Sequence, residues 1–199
     1  MKIRKLAQEE LHHWYETELE RTFIEQERKP LEVILALMKR EEYDVLGVFD
    51  TTKENALIGY ATIAKHEGIG LLLLDYLGVT KAQRNKGLGG QILNLIRAHY
   101  GDMPIVLESE LPVAEASVEE NDIRARRINF YERNGFIPVY EMATCGLRWQ
   151  ALIGIEASHL DEKHIRDIME AHKALYDDHR HDVVIPLGKN DQPPKSSWS

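Results

Sequence analysis

Residues 71–100, LLLLDYLGVTKAQRNKGLGGQILNLIRAHY, contain a strand pattern, a glycine-rich turn and a helix pattern in succession. The apolar run at 71–79 is interrupted only by Asp75, and its length suits a strand that is buried on both faces. A polar segment with three glycines follows at 84–90, and apolar residues then recur at helical spacing. This order predicts that the glycines lie where a strand ends and a helix begins.

The glycine turn at residues 84–90 has the properties of an anion site. The first amides of a helix have no intrahelical partner and lie at the positive end of the helix dipole. Glycine lets the backbone approach a phosphate closely, and two basic side chains add positive charge. The turn therefore predicts a phosphate-bearing ligand, and its candidate binding residues are Arg84, Lys86, Gly87, Leu88, Gly89 and Gly90.

Two common phosphate motifs do not fit this turn. A dinucleotide fingerprint needs G-x-G-x-x-G, but the order Gly87-Leu88-Gly89-Gly90 has no third glycine at the required offset. The P-loop pattern G-x-x-x-x-G-K-[ST] occurs nowhere in the chain. The remaining pattern, Arg84-x-x-Gly87-x-Gly89, resembles the pyrophosphate signature Q/R-x-x-G-x-G/A of the GNAT superfamily of acetyl-CoA-dependent N-acetyltransferases.

A second motif supports the same resemblance. Residues 130–136, FYERNGF, fit the pattern h-Y-x-x-x-G-F with which GNAT members commonly end a helix, and Gly135 suits a helix C-cap. A strand pattern at 104–111 lies between the two motifs, and a right-handed crossover would place it parallel to the strand at 71–79. The order of the motifs makes the resemblance specific.

The predicted fold class is α/β (α+β). It is a GNAT-like mixed, mostly antiparallel central sheet flanked by helices, with a splayed pair of parallel strands and a C-terminal helix. We predict further strands at 1–6, 43–49, 57–64, 136–147 and 148–155, and helices at 11–23, from Pro30 onward, at 122–134 and over 160–176. The predicted domains are a GNAT acetyltransferase domain at 1–157, a C-terminal helical extension at 158–187 and a mobile polar tail at 188–199.

Composition restricts the partners. The 199 residues carry a formal charge of -8, which argues against nucleic acid and is compatible with a cationic amine. Acidic residues are concentrated in a predicted loop at 108–122 that has no Lys or Arg. We find no membrane span or signal core, and a single cysteine, Cys145, fits a reducing compartment, so we expect a cytoplasmic protein. The oligomeric state stays open, with a homodimer as one option.

The resemblance implies roles for individual residues. Acetyl-CoA would be the co-substrate, with its pantetheine arm along the backbone of Leu77 to Val79 and one of those two amides polarising the thioester carbonyl. Tyr131 would be the general acid that gives a proton to the departing thiolate. Many members carry an asparagine seven residues before this tyrosine, and here Arg124 stands in its place.

The base that deprotonates the amine has several candidates. Glu108 leads, because Leu107-Glu108 resembles a Leu-Glu step that some members have on this strand. Asp75 and Glu110 are alternatives, and water or bulk solvent could also serve. Asp75 interrupts an apolar strand, so it is either functional or paired internally.

We expect no metal site. The candidates are His164 with His172, or Asp178, His179 and His181, and none has the H-E-x-x-H form. The sequence thus predicts an N-acetyltransferase that transfers an acetyl group from acetyl-CoA to a primary amine by direct attack. The alternative is a non-catalytic acyl-CoA-binding regulatory module of the same fold.

Overall fold

A computed structural model describes residues 1–53, 56–155, 160–176 and 180–196. The chain divides into two compact units, Met1–Gly68 with Leu74–Met103, and Ile69–Leu73 with Pro104–Ser199.

The first unit contains the N-terminal strands and the glycine turn. Its elements are β1 Lys2–Lys5, α1 Gln8–Trp14, α2 Glu20–Thr22, α3 Leu31–Lys39, β2 Tyr43–Asp50, β3 Ala56–Ala64, most of β4 Leu72–Val79, and α4 Leu88–Tyr100. Strands β1, β2 and β3 pair antiparallel. Strand β2 has a neighbouring strand on each side, and all of its residues except the last are buried.

The predicted helix at 11–23 has an irregular centre. A five-residue π-helical segment, Tyr15–Leu19, joins α1 to α2. Trp14, at the end of α1, is 1% exposed and packs edge-on against Tyr60 of β3, with ring centroids 5.7 Å apart. Trp14 is therefore part of the core.

The second unit contains β5 Ile105–Glu110, α5 Val118–Arg133, β6 Ile137–Thr144, β7 Leu147–Gly154 and α6 Glu162–Ala174. Strand β7 lies between β5 and β6 and pairs antiparallel with both. The turn between β6 and β7 is Cys145-Gly146, and both residues have positive φ, 55° and 76°, as a two-residue hairpin turn requires.

Helix α5 begins four residues earlier than the sequence patterns predicted, and this shortens the predicted acidic loop. Ser117 is the N-cap, and its hydroxyl accepts from the amide of Glu120 at 3.2 Å while the Glu120 carboxylate accepts from the amide of Ser117 at 2.8 Å. This capping box places Glu119 and Glu120 in the first turn, where negative charge stabilises the helix dipole. The prediction of a loop at 108–122 was therefore wrong for residues 118–122, which belong to α5.

The residues after α6 return to the β6–β7 hairpin. Val184 exchanges backbone hydrogen bonds with Ala143 of β6, at 3.0 and 3.1 Å. Arg148 of β7 donates to the carbonyls of Gly188 and Asp191, at 3.3 and 2.6 Å. The domain boundaries near residue 157 and the mobility of the tail at 188–199 stay predictions, and residues 156–159 and 197–199 lie outside the described part.

The predicted fold class is confirmed. The described residues form seven strands. Their hydrogen-bonded order is β1-β2-β3-β4 in the first unit and β4-β5-β7-β6 in the second. Strand β4 is named in both because its first two residues belong to the second unit. Strands β4 and β5 form the parallel pair, next to which Leu72 N donates to Pro104 O at 3.0 Å. Among the helices of the described part, none combines the length and apolarity that a bilayer crossing requires.

Replacing Gly78 of β4 with alanine should destabilise the first unit. An added Cβ would lie 2.1 Å from Cζ of the buried Tyr60, so the ring or the strand must move. We expect the free energy of unfolding to fall by about 1–3 kcal/mol in urea denaturation. Gly70→Ala is the matched control, since its added Cβ meets nothing within 4 Å. Equal stability of the two variants would contradict the packing of Tyr60 on Gly78.

Candidate functional site

The glycine turn forms the N-terminus of α4 in the first unit. After β4, a single 3-10 turn, Lys81–Gln83, leads to Arg84, and α4 starts at Leu88. Gly87 is the N-cap residue, with φ 72° and no side-chain cap among the described residues. The predicted strand, turn and helix are therefore present. No described side chain accepts a hydrogen bond as the N-cap of this helix.

The conformation of Gly87 explains why this position is glycine. An added Cβ would meet nothing within 4 Å, so space is not the constraint. The constraint is the left-handed backbone, which side chains other than glycine adopt at a cost. Asn85, with φ 63°, is a second left-handed residue two positions earlier, and asparagine tolerates this region better than most residues.

The charge around the turn is positive. Residues 84–87 are exposed, and the first turn of α4 has no acidic residue. Arg84 donates to Val79 O at 3.2 Å and to Thr22 Oγ1 at 3.3 Å. Lys86 donates to a neutral carbonyl and to a neutral amide oxygen, both at 2.9 Å. Since these hydrogen-bond acceptors are uncharged, both side chains can attract an anion to the turn.

The end of β4 leads directly into this turn. Leu77 and Val79 are half-buried, and they alternate with the buried Tyr76 and Gly78. The next residue, Thr80, donates its amide to Ile58 O of β3 at 3.1 Å. Because the Arg84 guanidinium donates to Val79 O, a hydrogen bond connects the end of this strand directly with the turn.

Asp75 of β4 is paired internally. Its Oδ2 accepts from Lys29 Nζ at 2.7 Å and from the Tyr43 hydroxyl, and both charged side chains are 12% exposed. Burial, followed by the charge of Asp75, raises the pKa of Tyr43, which therefore keeps its proton and remains a donor. Of the two interpretations of Asp75, the structure supports the internal pair.

Tyr131 lies on α5 in the second unit. Its ring contacts Phe130 and Phe136, with centroid distances of 5.2 and 6.0 Å. Burial raises the pKa of its hydroxyl to about 12, so the group holds its proton at neutral pH. The hydroxyl can act as a proton donor, as a general acid must.

Glu108 of β5 has partners that the sequence analysis missed. Its Oε1 accepts from the Tyr176 hydroxyl and lies 3.0 Å from Nε2 of His172. His172 lies on α6, and Tyr176 follows two residues after the end of this helix. The sequence patterns predicted a helix over 160–176, but no local signal connected Tyr176 with a strand residue 68 positions away.

Glu110, the next residue on the same face of β5, forms an ion pair with Arg124 of α5. Both side chains are nearly buried, with 11% and 13% exposure. The arginine that stands in place of the family's asparagine therefore neutralises a carboxylate of this chain. Glu110 as an alternative base would have to leave this pair.

The predicted site residues fall into two groups. The donor-binding candidates all lie in the first unit, and Tyr131 and Glu108 lie in the second. The described residues contain no group of three metal-ligating side chains, and His159, Asp178 and His179 lie outside them. His172, one of the histidines considered as a ligand, is directed to Glu108 and Tyr140.

Known proteins match the chain in sequence and in structure. A solved Bacteroides thetaiotaomicron protein assigned to the GNAT family of acetyltransferases has a TM-score of 0.63 and 22% identity, covering 89% of this chain and 100% of that one. A Vibrio cholerae spermidine N-acetyltransferase, solved with CoA and spermine, has a TM-score of 0.58 and 13% identity, covering 76% and 93%. An aminoglycoside 6'-N-acetyltransferase complexed with coenzyme A has a TM-score of 0.54 and 15% identity, covering 77% and 96%.

These structural similarities show the fold alone, because all three sequences are less than 25% identical to this chain. A comparison with curated proteins gives no significant match. Residues 45–138, which contain β4, the glycine turn and the Tyr131 motif, match a family described as an acetyltransferase (GNAT) domain. The resemblance inferred from the two motifs is therefore confirmed, and residues 45–138 match the GNAT-type acetyltransferase domain of a family of acyltransferases.

Proposed function

We propose that this protein is an N-acetyltransferase that transfers an acetyl group from acetyl-CoA to a primary amine by direct attack. The observation that carries the proposal is the N-terminus of α4, where a left-handed Gly87 and two basic side chains are exposed and no described side chain caps the helix. This arrangement suits a pyrophosphate. The coenzyme supplies the acetyl group as a thioester.

Each chemical requirement has a residue in this proposal. Residues 84–90 hold the pyrophosphate, and the backbone of Leu77 to Val79 binds the pantetheine arm and polarises the carbonyl. Glu108 takes the proton from the acceptor's ammonium group, which frees the nitrogen lone pair for attack on the acyl carbon. Tyr131 gives its proton to the sulfur when the carbon–sulfur bond breaks.

The acceptor in this proposal is a cationic amine. The chain carries a net charge of -8, which attracts cations over distances of about 10 Å at moderate salt. The solved relatives include enzymes named for spermidine and for aminoglycosides. A panel of polyamines, aminoglycosides and basic peptides, assayed by thiol release, would identify the class.

The second candidate function is a regulatory module that binds acyl-CoA without turnover. It is favoured by the Arg124–Glu110 ion pair, because the family's asparagine is absent and its replacement is already engaged. CoA binding together with no turnover on any amine of the panel would establish this alternative. A homodimer and a cytoplasmic location remain predictions.

Changing Gly89 tests the donor site. Gly89→Gln adds bulk in the first turn of α4 and should weaken CoA binding at least about tenfold in calorimetry. Gly89→Glu has nearly the same shape and adds a negative charge, which should weaken binding about tenfold more while stabilising the helix N-terminus. A melting temperature at or above that of the wild type would separate lost binding from lost folding. Unchanged CoA affinity in both variants would remove this turn from donor binding.

Tyr131→Phe tests the general acid. CoA affinity should be preserved, and kcat should fall about 100-fold because no proton reaches the leaving thiolate. With a pKa of about 12, Tyr131 stays protonated at pH 7 to 9, so its ionisation should not limit the wild-type rate there. A fully active Tyr131→Phe enzyme would make this tyrosine structural.

Glu108→Gln tests the base. At neutral pH kcat/KM for the amine should fall, and the defect should shrink as pH rises, because more of the amine is then already neutral. The measurement is a pH series of both enzymes with the best amine of the panel. A defect of constant size at every pH would argue against proton removal by Glu108.

A further inference from the structure

Helix α6 and the residues after it lie beyond the matched domain, yet one side chain of α6 and one that follows its end reach the proposed base. Tyr176 donates its hydroxyl hydrogen bond to Oε1 of Glu108, and Nε2 of His172 lies 3.0 Å from the same oxygen. His172 is 0% exposed. Residues of this extension therefore contact a carboxylate within the matched domain, which spans residues 45–138.

The orientation of the His172 ring follows from its two neighbours. Nδ1 lies 2.9 Å from the Tyr140 hydroxyl. Burial, and then the charge of Glu108, raises the pKa of Tyr140, so this hydroxyl keeps a proton to donate. A lone pair on Nε2 would face a carboxylate oxygen at 3.0 Å and be repelled, so Nε2 carries the proton and Nδ1 accepts from Tyr140.

The contact between His172 and Glu108 is close but not aligned. Although Nε2 is at ion-pair distance from Oε1, it has no partner with hydrogen-bond geometry among the described residues. The Tyr176 hydroxyl does donate a hydrogen bond to Oε1, and the guanidinium of Arg180 lies 5.3 Å from the centre of the Tyr176 ring.

The two oxygens of Glu108 have different surroundings. Both contacts from the C-terminal helix end on Oε1, and Oε2 has no partner among the residues that the structure describes. The side chain is 11% exposed, so the carboxylate is mostly withdrawn from water. A buried carboxylate with donors on one oxygen is held in one orientation, and its other oxygen is available to a ligand.

We propose that His172 and Tyr176 are positioning residues for the acetyl transfer. They fix Oε1 of Glu108 so that Oε2 takes the proton from the acceptor's ammonium group. Tyr140 orients the ring of His172 through its hydrogen bond to Nδ1, so its effect on Glu108 is indirect. This inference rests on the proposed function, and it makes the C-terminal helix part of the acceptor side of the enzyme.

Hydroxyl and ring substitutions test the arrangement in the full-length protein. Tyr176→Phe should lower kcat/KM for the amine about tenfold, since one charge-assisted hydrogen bond is lost. His172→Phe should lower it by a similar factor, about tenfold, because Oε1 loses the second group that holds its position. His172→Gln keeps an N–H donor at this place and should recover most of the activity. The KM for acetyl-CoA should stay unchanged in all three.

Two control variants separate positioning from general loss of structure. Tyr100→Phe removes a hydroxyl that donates to another buried carboxylate, Asp44, at 2.7 Å, and it should lower stability without lowering kcat. His164→Gln changes an exposed histidine on the same helix and should leave both unchanged.

A double-mutant cycle decides whether the tyrosine acts through the carboxylate. In a Glu108→Gln background, Tyr176→Phe should cause no further loss of kcat/KM. Additive losses, or full activity of Tyr176→Phe and His172→Phe in an enzyme that Glu108→Gln impairs, would overturn the positioning role alone. A wild-type protein that binds CoA but turns over no amine would instead overturn the proposed function.

Discussion

The sheet strands of this protein bury several carboxylates, and a carboxylate away from water must have a partner. The cost of leaving such a charge unpaired is several kcal/mol, roughly the size of a domain's whole stability. Asp44 of β2 forms ion pairs with Lys5 and Lys65 and accepts a hydrogen bond from Tyr100. Asp75 of β4 forms an ion pair with Lys29 and accepts a hydrogen bond from Tyr43. The positions of the surrounding helices and loops must satisfy these charges as well as cover apolar surface.

The same constraint separates structural acids from a candidate functional one. The Oδ2 of Asp75 has both a cation and a hydroxyl, and Glu110 has the guanidinium of Arg124. The contacts of Glu108 also fall on one oxygen, but they include no arginine or lysine. A carboxylate without such a partner keeps its charge for a cation from solution, whereas a carboxylate in an ion pair is already neutralised.

The glycine turn depends on local chemistry instead. The turn has left-handed residues at Asn85 and Gly87, and α4 with its apolar stripe begins directly afterwards. All of these features are close together in the sequence. For that reason the patterns located the turn correctly. The capping box of Ser117 and Glu120 was equally local, and the signature S-x-x-E was present in the sequence. Its neighbourhood of acidic residues had favoured a loop, because charge alone does not distinguish a loop from a helix N-terminus.

Spacing and residue type were enough to predict most of the strands and helices, since apolar periodicity and glycine conformation act over a few residues. The resemblance of two local motifs to a known family indicated the fold class and the family. The partners of the buried acids were not accessible in this way. Lys29 and Asp75 are 46 residues apart, and Glu108 and Tyr176 are 68 apart. Such pairs meet only when the chain has folded, because hydrogen bonds and ion pairs depend on distances of a few ångströms in space. Tertiary contacts therefore decided which carboxylates form ion pairs, and they also placed His172 and Tyr176 beside Oε1 of Glu108.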